Sequence, residues 1–197
     1  NKACHVEINL CKAPIGKQDQ YAASFGGINT FNFKKNGNVT VKKFINKKAI
    51  KSLHNNLILI NTGIIKKNEL ILKDQIKNIS KGGKYFSNLE LINNSVEVFK
   101  KSLIKNDIKL CGEILDENWK RKITLSKMIR NQLIDEIYHE SIVAGAYGGK
   151  VCGAGGRGFL MLLCPKSKQK LLKRKFSKLE FLILNFDFEG SKLLKLS

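Results

Sequence analysis

Proline is nearly absent: Pro14 and Pro165 are the only two in 197 residues. With 16 scattered glycines, this excludes collagen-like and proline-rich sequence. The five cysteines (Cys4, Cys11, Cys111, Cys152 and Cys164) form no C-x-x-C pair, and their odd number excludes a framework in which every thiol is bridged. The three histidines, His5, His54 and His139, lie in separate segments, so no zinc spacing appears and no metal ligand is assigned. Reduced thiols in a cytoplasmic protein are the plain expectation. No apolar run approaches the ~18–20 residues that cross a bilayer, and no charged stretch leads into a secretory apolar core. No membrane partner is expected.

Arginine is also scarce. The chain carries 36 basic residues against 16 acidic ones, a net charge of +20, yet only Arg121, Arg130, Arg157 and Arg174 are arginines. Lys, Ile and Asn together supply 73 of the 197 residues, as an A/T-rich coding bias would produce. Arg is the usual bidentate reader of phosphate and guanine. The lysines are spread along the chain rather than interleaved with aromatics. Specific nucleic-acid binding is therefore not expected, although polyanions will adhere at low salt. A hydrophobic content of 43% excludes a wholly disordered chain.

Periodicity gives an outline. Asn1–Cys11 has no capping signal ahead of it and reads as the middle or end of an element. Pro14-Ile15-Gly16 breaks it. Lys17 to Phe25 reads as a short helix closed by Gly26-Gly27. Strands follow at Ile28–Phe33 and Asn38–Ile45, with Asn36-Gly37 as the hairpin turn. Lys47–His54 is polar enough for a linker. Leu57–Ile60 is apolar throughout and reads as a buried strand. Helices are expected at Glu69–Ile79, Leu89–Ile104, Ile108–Leu115 and Leu133–Ala144, with another around Trp119, Ile123, Met128 and Ile129. After a glycine-rich loop over Gly145–Gly158 come a strand at Phe159–Cys164, a helix at Ser167–Phe176 and a last strand at Phe181–Phe188. Strands flanking several helices, with β-α-β at the end, predict an α+β two-layer sandwich.

The glycine-rich segment is the strongest local signal. Gly153, Gly155 and Gly158 satisfy G-x-G-x-x-G, but a dinucleotide site needs a strand before the glycines and a helix after them. Here the order is reversed. A tight helix-to-strand turn is the bland alternative. Six glycines within eleven residues, with Lys150 and Arg157 among them, favour a phosphate-handling site or its immediate support. Asp19 is the second signal. Lys17 beside it favours the ionised carboxylate, which can take or orient a substrate proton. Alone, Asp19 reads first as a solvated helix-surface residue. Paired with a downstream phosphate cradle, it fits phosphoryl transfer.

Three groups of segments carry a family resemblance. The first holds Ala3-Cys4-His5-Val6-Glu7-Ile8, Pro14-Ile15-Gly16-Lys17-Gln18-Asp19-Gln20-Tyr21-Ala22-Ala23 and Gly26-Gly27-Ile28-Asn29. The second holds Asn61-Thr62-Gly63-Ile64 and Ile134-Asp135-Glu136-Ile137-Tyr138. The third holds Gly145-Ala146 through Gly158-Phe159-Leu160, and Phe188-Glu189-Gly190-Ser191. In this order they resemble the GHMP small-molecule kinases, and within them the sugar kinases acting on D-glycero-D-manno-heptose 7-phosphate.

The resemblance implies a GHMP kinase fold. Residues 1–47 would be the tail of a ribosomal-protein-S5-like N-terminal domain, and 48–197 a complete ferredoxin-like C-terminal α/β sandwich. It implies Asp19 as the catalytic carboxylate. Lys17, Thr62, Gly63, Gly148, Gly149, Lys150, Gly153, Ala154, Gly155, Gly156 and Gly158 would line the ATP and substrate cleft. ATP with Mg2+ would phosphorylate the anomeric hydroxyl of the heptose 7-phosphate, for nucleotide-activated heptose and surface glycans.

Some positions depart from the family pattern. Arg157 stands where a glycine is usual, and Ile65, Lys66, Lys67 and Asn68 replace small and Arg residues, which loses a bidentate clamp. No Gly/Ser-rich phosphate loop is found, so the chain is expected to be a fragment, inactive alone, whose partner is the missing N-terminal half with the main Mg2+ ligands. A non-catalytic remnant or partner-binding subunit, and another GHMP sugar kinase, are the alternative readings.

Overall fold

Asn36-Gly37 makes the first turn, as its sequence demands. Gly37 adopts φ +84°, and the Lys34 amide donates to the Asn38 carbonyl at 2.9 Å. In this computed structural model, which describes residues 2–63, 68–156 and 158–192, the turn joins β1 (Asn29–Phe33) to β2 (Val39–Lys43). The strands are antiparallel, with Phe31 opposite Val41. The expectations placed on Arg157, Ile65, Lys66 and Lys67, and on the Asn68 side chain, lie outside the described residues.

Two compact units are present. Asn1–Asn46, with the chain from Asn185 onward, makes one; Lys47–Leu184 makes the other. In the first, α1 (Lys2–Cys4) passes into a π-helical stretch (His5–Leu10), and α2 (Gln18–Phe25) follows the Pro14–Gly16 break. Tyr21 and Phe25 of α2 meet Phe31 and Phe33 of β1, with ring centroids 5.8 to 6.4 Å apart. Such rings bury large area and favour edge-on contacts.

The second unit opens with a correction. Lys47–His54 is not a linker: α3 (Lys47–Asn56) runs through it. Lys47, Lys48 and Lys51 are exposed, while Ala49, Ile50 and Leu53 turn inward at helical spacing. β3 (Leu57–Asn61) follows, then α4 (Asn68–Ile79), α5 (Gly83–Ile104), α6 (Ile108–Ile123) and α7 (Gln132–Val143). No separate helix forms around Trp119–Ile129. Trp119 and Ile123 end α6, and Met128 and Ile129 lie in a 3-10 turn (Lys127–Ile129). The Ser126 hydroxyl, accepting from the Met128 amide at 3.1 Å, caps that turn and interrupts the α-helical ladder.

The glycine-rich segment is likewise no simple loop. β4 (Gly148–Val151) forms within it and pairs as a hairpin with β5 (Phe159–Leu163), the strand expected after it, with Lys150 opposite Met161. After α8 (Lys166–Lys175), β6 is only Phe181–Leu182. The expected strand to Phe188 stops there, because β6 pairs β3 only through Leu182 opposite Leu59 and Phe181 opposite Ile60.

The sheet order is β4-β5-β3-β6, antiparallel throughout. One strand, a helical crossover, a hairpin, a helix and a last strand give the β-α-β-β-α-β ferredoxin-like topology in an α+β protein. Alternation puts Ile58 and Ile60 of β3 and Leu160 and Leu162 of β5 into the core, with Trp119, Ile129, Ile134 and Leu172. α6 lies close against β4: a Cβ on Gly148 would overlap the Gly112 carbonyl.

Candidate functional site

In the first unit, Asp19 is exposed in the first turn of α2. Unpaired helix amides there favour a negative charge. Lys17, also exposed, occupies the N-cap position. Gly16, Lys17 and Gln18 form one wall of an open cleft of about 420 Å3, and Phe33, Lys34, Gly37 and Val39 form the other. The next residue, Gln20, points the opposite way. It is 8% exposed, and its buried Oε1 has no hydrogen-bond partner. α2 thus holds one carboxylate in solvent on a helix anchored from behind.

Residues distant in sequence meet at the end of α2. The Gly27 amide donates to the Asp187 carbonyl at 2.5 Å, and the Ser191 amide to the Ser24 carbonyl at 3.2 Å. A Cβ on Gly26 would overlap the Gly190 backbone, and one on Gly190 the Ser24 carbonyl. Asp187 holds this return segment in a turn by accepting from the Glu189 amide at 2.7 Å and the Gly190 amide at 3.3 Å. Those two amides hold its carboxyl below the usual range. Two segments of the sequence resemblance are therefore in contact here.

In the second unit the glycines divide by role. Gly148 and Gly149 are packing positions: added Cβ atoms would strike the Gly112 and Met161 carbonyls. Gly155 and Gly156 rest on the turn before α7, where a Cβ would come within 2.6 Å of the Ile129 Cγ2 and the Met128 carbonyl, respectively. Gly153 and Gly158 have open space beside them, at φ +68° and +85°.

Side chains hold the turn between the strands. Lys122 donates to the Gly153 carbonyl at 2.5 Å, Gln75 to Ala154 at 3.0 Å and Asn131 to Gly156 at 3.2 Å. Thr62 is buried and donates to the Gly158 carbonyl through its hydroxyl at 2.7 Å and its amide at 2.9 Å. Thr62 therefore fastens the hairpin. Gly63, exposed after it, donates to the Asn61 side chain. Lys150 and Lys122 both act on Cys152, whose thiol is pushed up by burial and pulled down by these two ammonium groups.

Sequence reading missed Gln75 and Lys122, which carry no local motif; it singled out Phe188–Ser191 but not the contact of that segment with the end of α2. Asn131, which sequence reading also passed over, caps α7, its side chain accepting from the Ile134 amide at 3.0 Å. Tyr138, the last residue of one segment of the resemblance, donates to Asp116 at 2.6 Å beside the β4 backbone. Burial, then the Asp116 hydrogen bond, pushes its phenol well above the ordinary value. Cys111 and Cys164 are pushed up to about 11, chiefly by burial. Among the described residues, no group of three or more His, Cys, Asp or Glu converges. The described residues therefore offer no all-protein cage for Mg2+. Among the same residues, no helix is long and apolar enough to cross a membrane.

The hairpin, the helices packed on it and the sheet order have counterparts in known proteins. Residues 99–180 match the family described as GHMP kinases C terminal. The chain carries a GHMP kinase C-terminal domain. Over 180 residues it is 31% identical to D-glycero-alpha-D-manno-heptose 7-phosphate kinase of Campylobacter jejuni, covering 90% of this chain and 53% of that one. The fold is shared with a D-glycero-D-manno-heptose 1-phosphate kinase from Bacteriodes thetaiotaomicron. There the TM-score is 0.63 and the identity 23%, over 98% of this chain and 54% of the other. It is shared too with the L. major mevalonate kinase in complex with R-mevalonate, at TM-score 0.67 and 16% identity over 89% and 53%. The chain spans about half the length of the relatives it matches.

Proposed function

We propose that this chain is part of an ATP-dependent sugar kinase whose acceptor is the anomeric hydroxyl of D-glycero-D-manno-heptose 7-phosphate. The 31% identity to a heptose 7-phosphate kinase across nine-tenths of the chain carries the reading. Because the chain spans about half of that relative, the activity is proposed for the kinase to which these residues belong, not for them alone.

Asp19 acts on the acceptor. Its exposed carboxylate accepts the hydroxyl proton while that oxygen bonds to the γ-phosphorus and the bond to the ADP oxygen breaks. Lys17, beside it on the cleft wall, offers an ammonium to a charged substrate group. In the hairpin, Gly153 and Gly158 leave backbone uncovered, as close approach of a nucleotide or sugar phosphate needs. Gly63 and Lys150 complete this set. Thr62, Gly148, Gly149, Ala154, Gly155 and Gly156 serve by fixing its shape.

The test is phosphate transfer from ATP to D-glycero-D-manno-heptose 7-phosphate by the natural polypeptide, wild type and Asp19→Asn. The substitution should lower kcat about a thousandfold with the circular dichroism unchanged. Normal turnover in Asp19→Asn would remove Asp19 from the chemistry. Transfer only to other sugars would make this a different GHMP sugar kinase. No transfer at all would favour a non-catalytic, partner-binding role.

A further inference from the structure

The turn of the glycine hairpin cannot hold its own shape. Gly153, Gly155, Gly156 and Gly158 all have positive φ, from +68° to +97°. Glycine has the largest conformational freedom to lose, and it brings no side chain to anchor itself. The shape is imposed from outside, and α4 reaches the turn by two routes.

The direct route is Gln75. It is half-buried, and its Nε2 donates to the carbonyl of Ala154, between Gly153 and Gly155. One turn earlier on α4, Ile71 is 2% exposed, and its Cδ1 lies 2.8 Å from where a Gly156 Cβ would stand. The indirect route is Asp74, which accepts a hydrogen bond from the buried Ser126 hydroxyl. Ser126 caps the Lys127–Ile129 turn, whose Ile129 carbonyl accepts from the Gly156 amide at 2.5 Å. Asn78, also on α4, ties the same segment through the Leu125 carbonyl at 3.0 Å.

Gln75 is the member of this set that grips the turn itself through a hydrogen bond. Ile71 gives shape without direction, and Asp74 acts through Ser126. A carbonyl fixed by one donor fixes the whole peptide plane, because the peptide is planar. Holding Ala154 therefore sets the orientation of the Gly155 amide as well.

We propose that Gln75 is a positioning residue for phosphoryl transfer: it fastens the Ala154 carbonyl to α4, so that the hairpin turn meets its ligand in one conformation. This rests on the kinase reading above. Transfer depends on positioning more than on covalent chemistry by the protein, so a loosened turn slows the chemical step.

The experiment compares wild type, Gln75→Leu and Gln75→Glu in the natural polypeptide, by steady-state kinetics and amide hydrogen exchange. Leu keeps the bulk without the donor; Glu sets an acceptor against the carbonyl. Expected is a kcat about tenfold lower in Gln75→Leu and lower still in Gln75→Glu, with KM for both substrates within about twofold. Exchange should rise at Ala154–Gly156 and stay unchanged in the β4–β5 ladder and α6. Wild-type kcat in both variants overturns the proposal. So does exchange rising evenly across the unit, which would make Gln75 a general stabiliser. If wild type transfers no phosphate, the kinase reading fails and the catalytic role of Gln75 falls with it. Exchange then decides separately whether Gln75 holds the turn.

Discussion

Two glycine turns in this chain are held by backbone and side chains in different proportions. The Gly26-Gly27 turn after α2 is met mainly by backbone, the Asp187 carbonyl, the Gly190 main chain and the Ser191 amide, with the Asn29 side chain donating to the Gly26 carbonyl at 2.8 Å. The Gly153–Gly158 turn also meets backbone, at the Ile129 carbonyl and the Thr62 amide, but four side chains grip its carbonyls: Lys122, Gln75, Asn131 and Thr62. A backbone clasp depends on few side-chain identities beyond the glycines that allow the approach. A side-chain clasp can be tuned one substitution at a time, which suits a segment that must fit a particular ligand.

Three substitutions or conditions sharpen the contrast, largest effect first. Gly148→Ala drives a methyl into the Gly112 carbonyl across rigid backbone on both sides. It should cost the second unit roughly 3 kcal/mol or more, read from urea unfolding. Gly26→Ala places a side chain at φ +59°, ψ +167°, against the Gly190 amide. That should cost about 2 kcal/mol and free the 187–191 segment to exchange, leaving the second unit untouched. Equal loss of stability in both units would erase the distinction.

The smallest effect is on pH. The Asp187 carboxyl is held below its usual range by the Glu189 and Gly190 amides. A depressed carboxyl stabilises above its unfolded pKa and loses that contribution as pH falls through the folded one. The Glu189 and Gly190 amides should therefore lose protection only below the ordinary carboxylate range, with no change between pH 5 and 8. Asp187→Asn should flatten the profile.

The β1–β2 hairpin was legible because one Asn-Gly pair carries the turn. α7 was legible because Ile134, Ile137, Tyr138 and Ile142 recur on one face at helical spacing. Helix α3 was hidden by its own solvent face: three lysines read as linker, while Ala49, Ile50 and Leu53 supplied the stripe. Strand β4 was hidden for the opposite reason. Gly148-Gly149 has no strand propensity; the strand is made by its pairing with β5, and α6 at Gly148 and β5 at Gly149 leave no room for larger side chains. At the candidate site, Asp19 and the glycines could be singled out from local pattern. Gln75 and Lys122 could not, since a hydrogen bond across 79 residues or 31 residues leaves no trace in local sequence.

The first unit is interrupted: the chain leaves it at Asn46 and rejoins it at Asn185. During synthesis, α2 and its aromatic neighbours emerge early, but the backbone that closes the Gly26 turn emerges only after the whole second unit. Domains generally fold as units as they leave the ribosome. The helix presenting Asp19 must therefore wait, with its end unlatched, until Ser191 has been made. Ribosome-bound intermediates stalled before that point should contain a folded ferredoxin-like unit and an open first one, a state in which the hairpin exists and the carboxylate is not yet fixed.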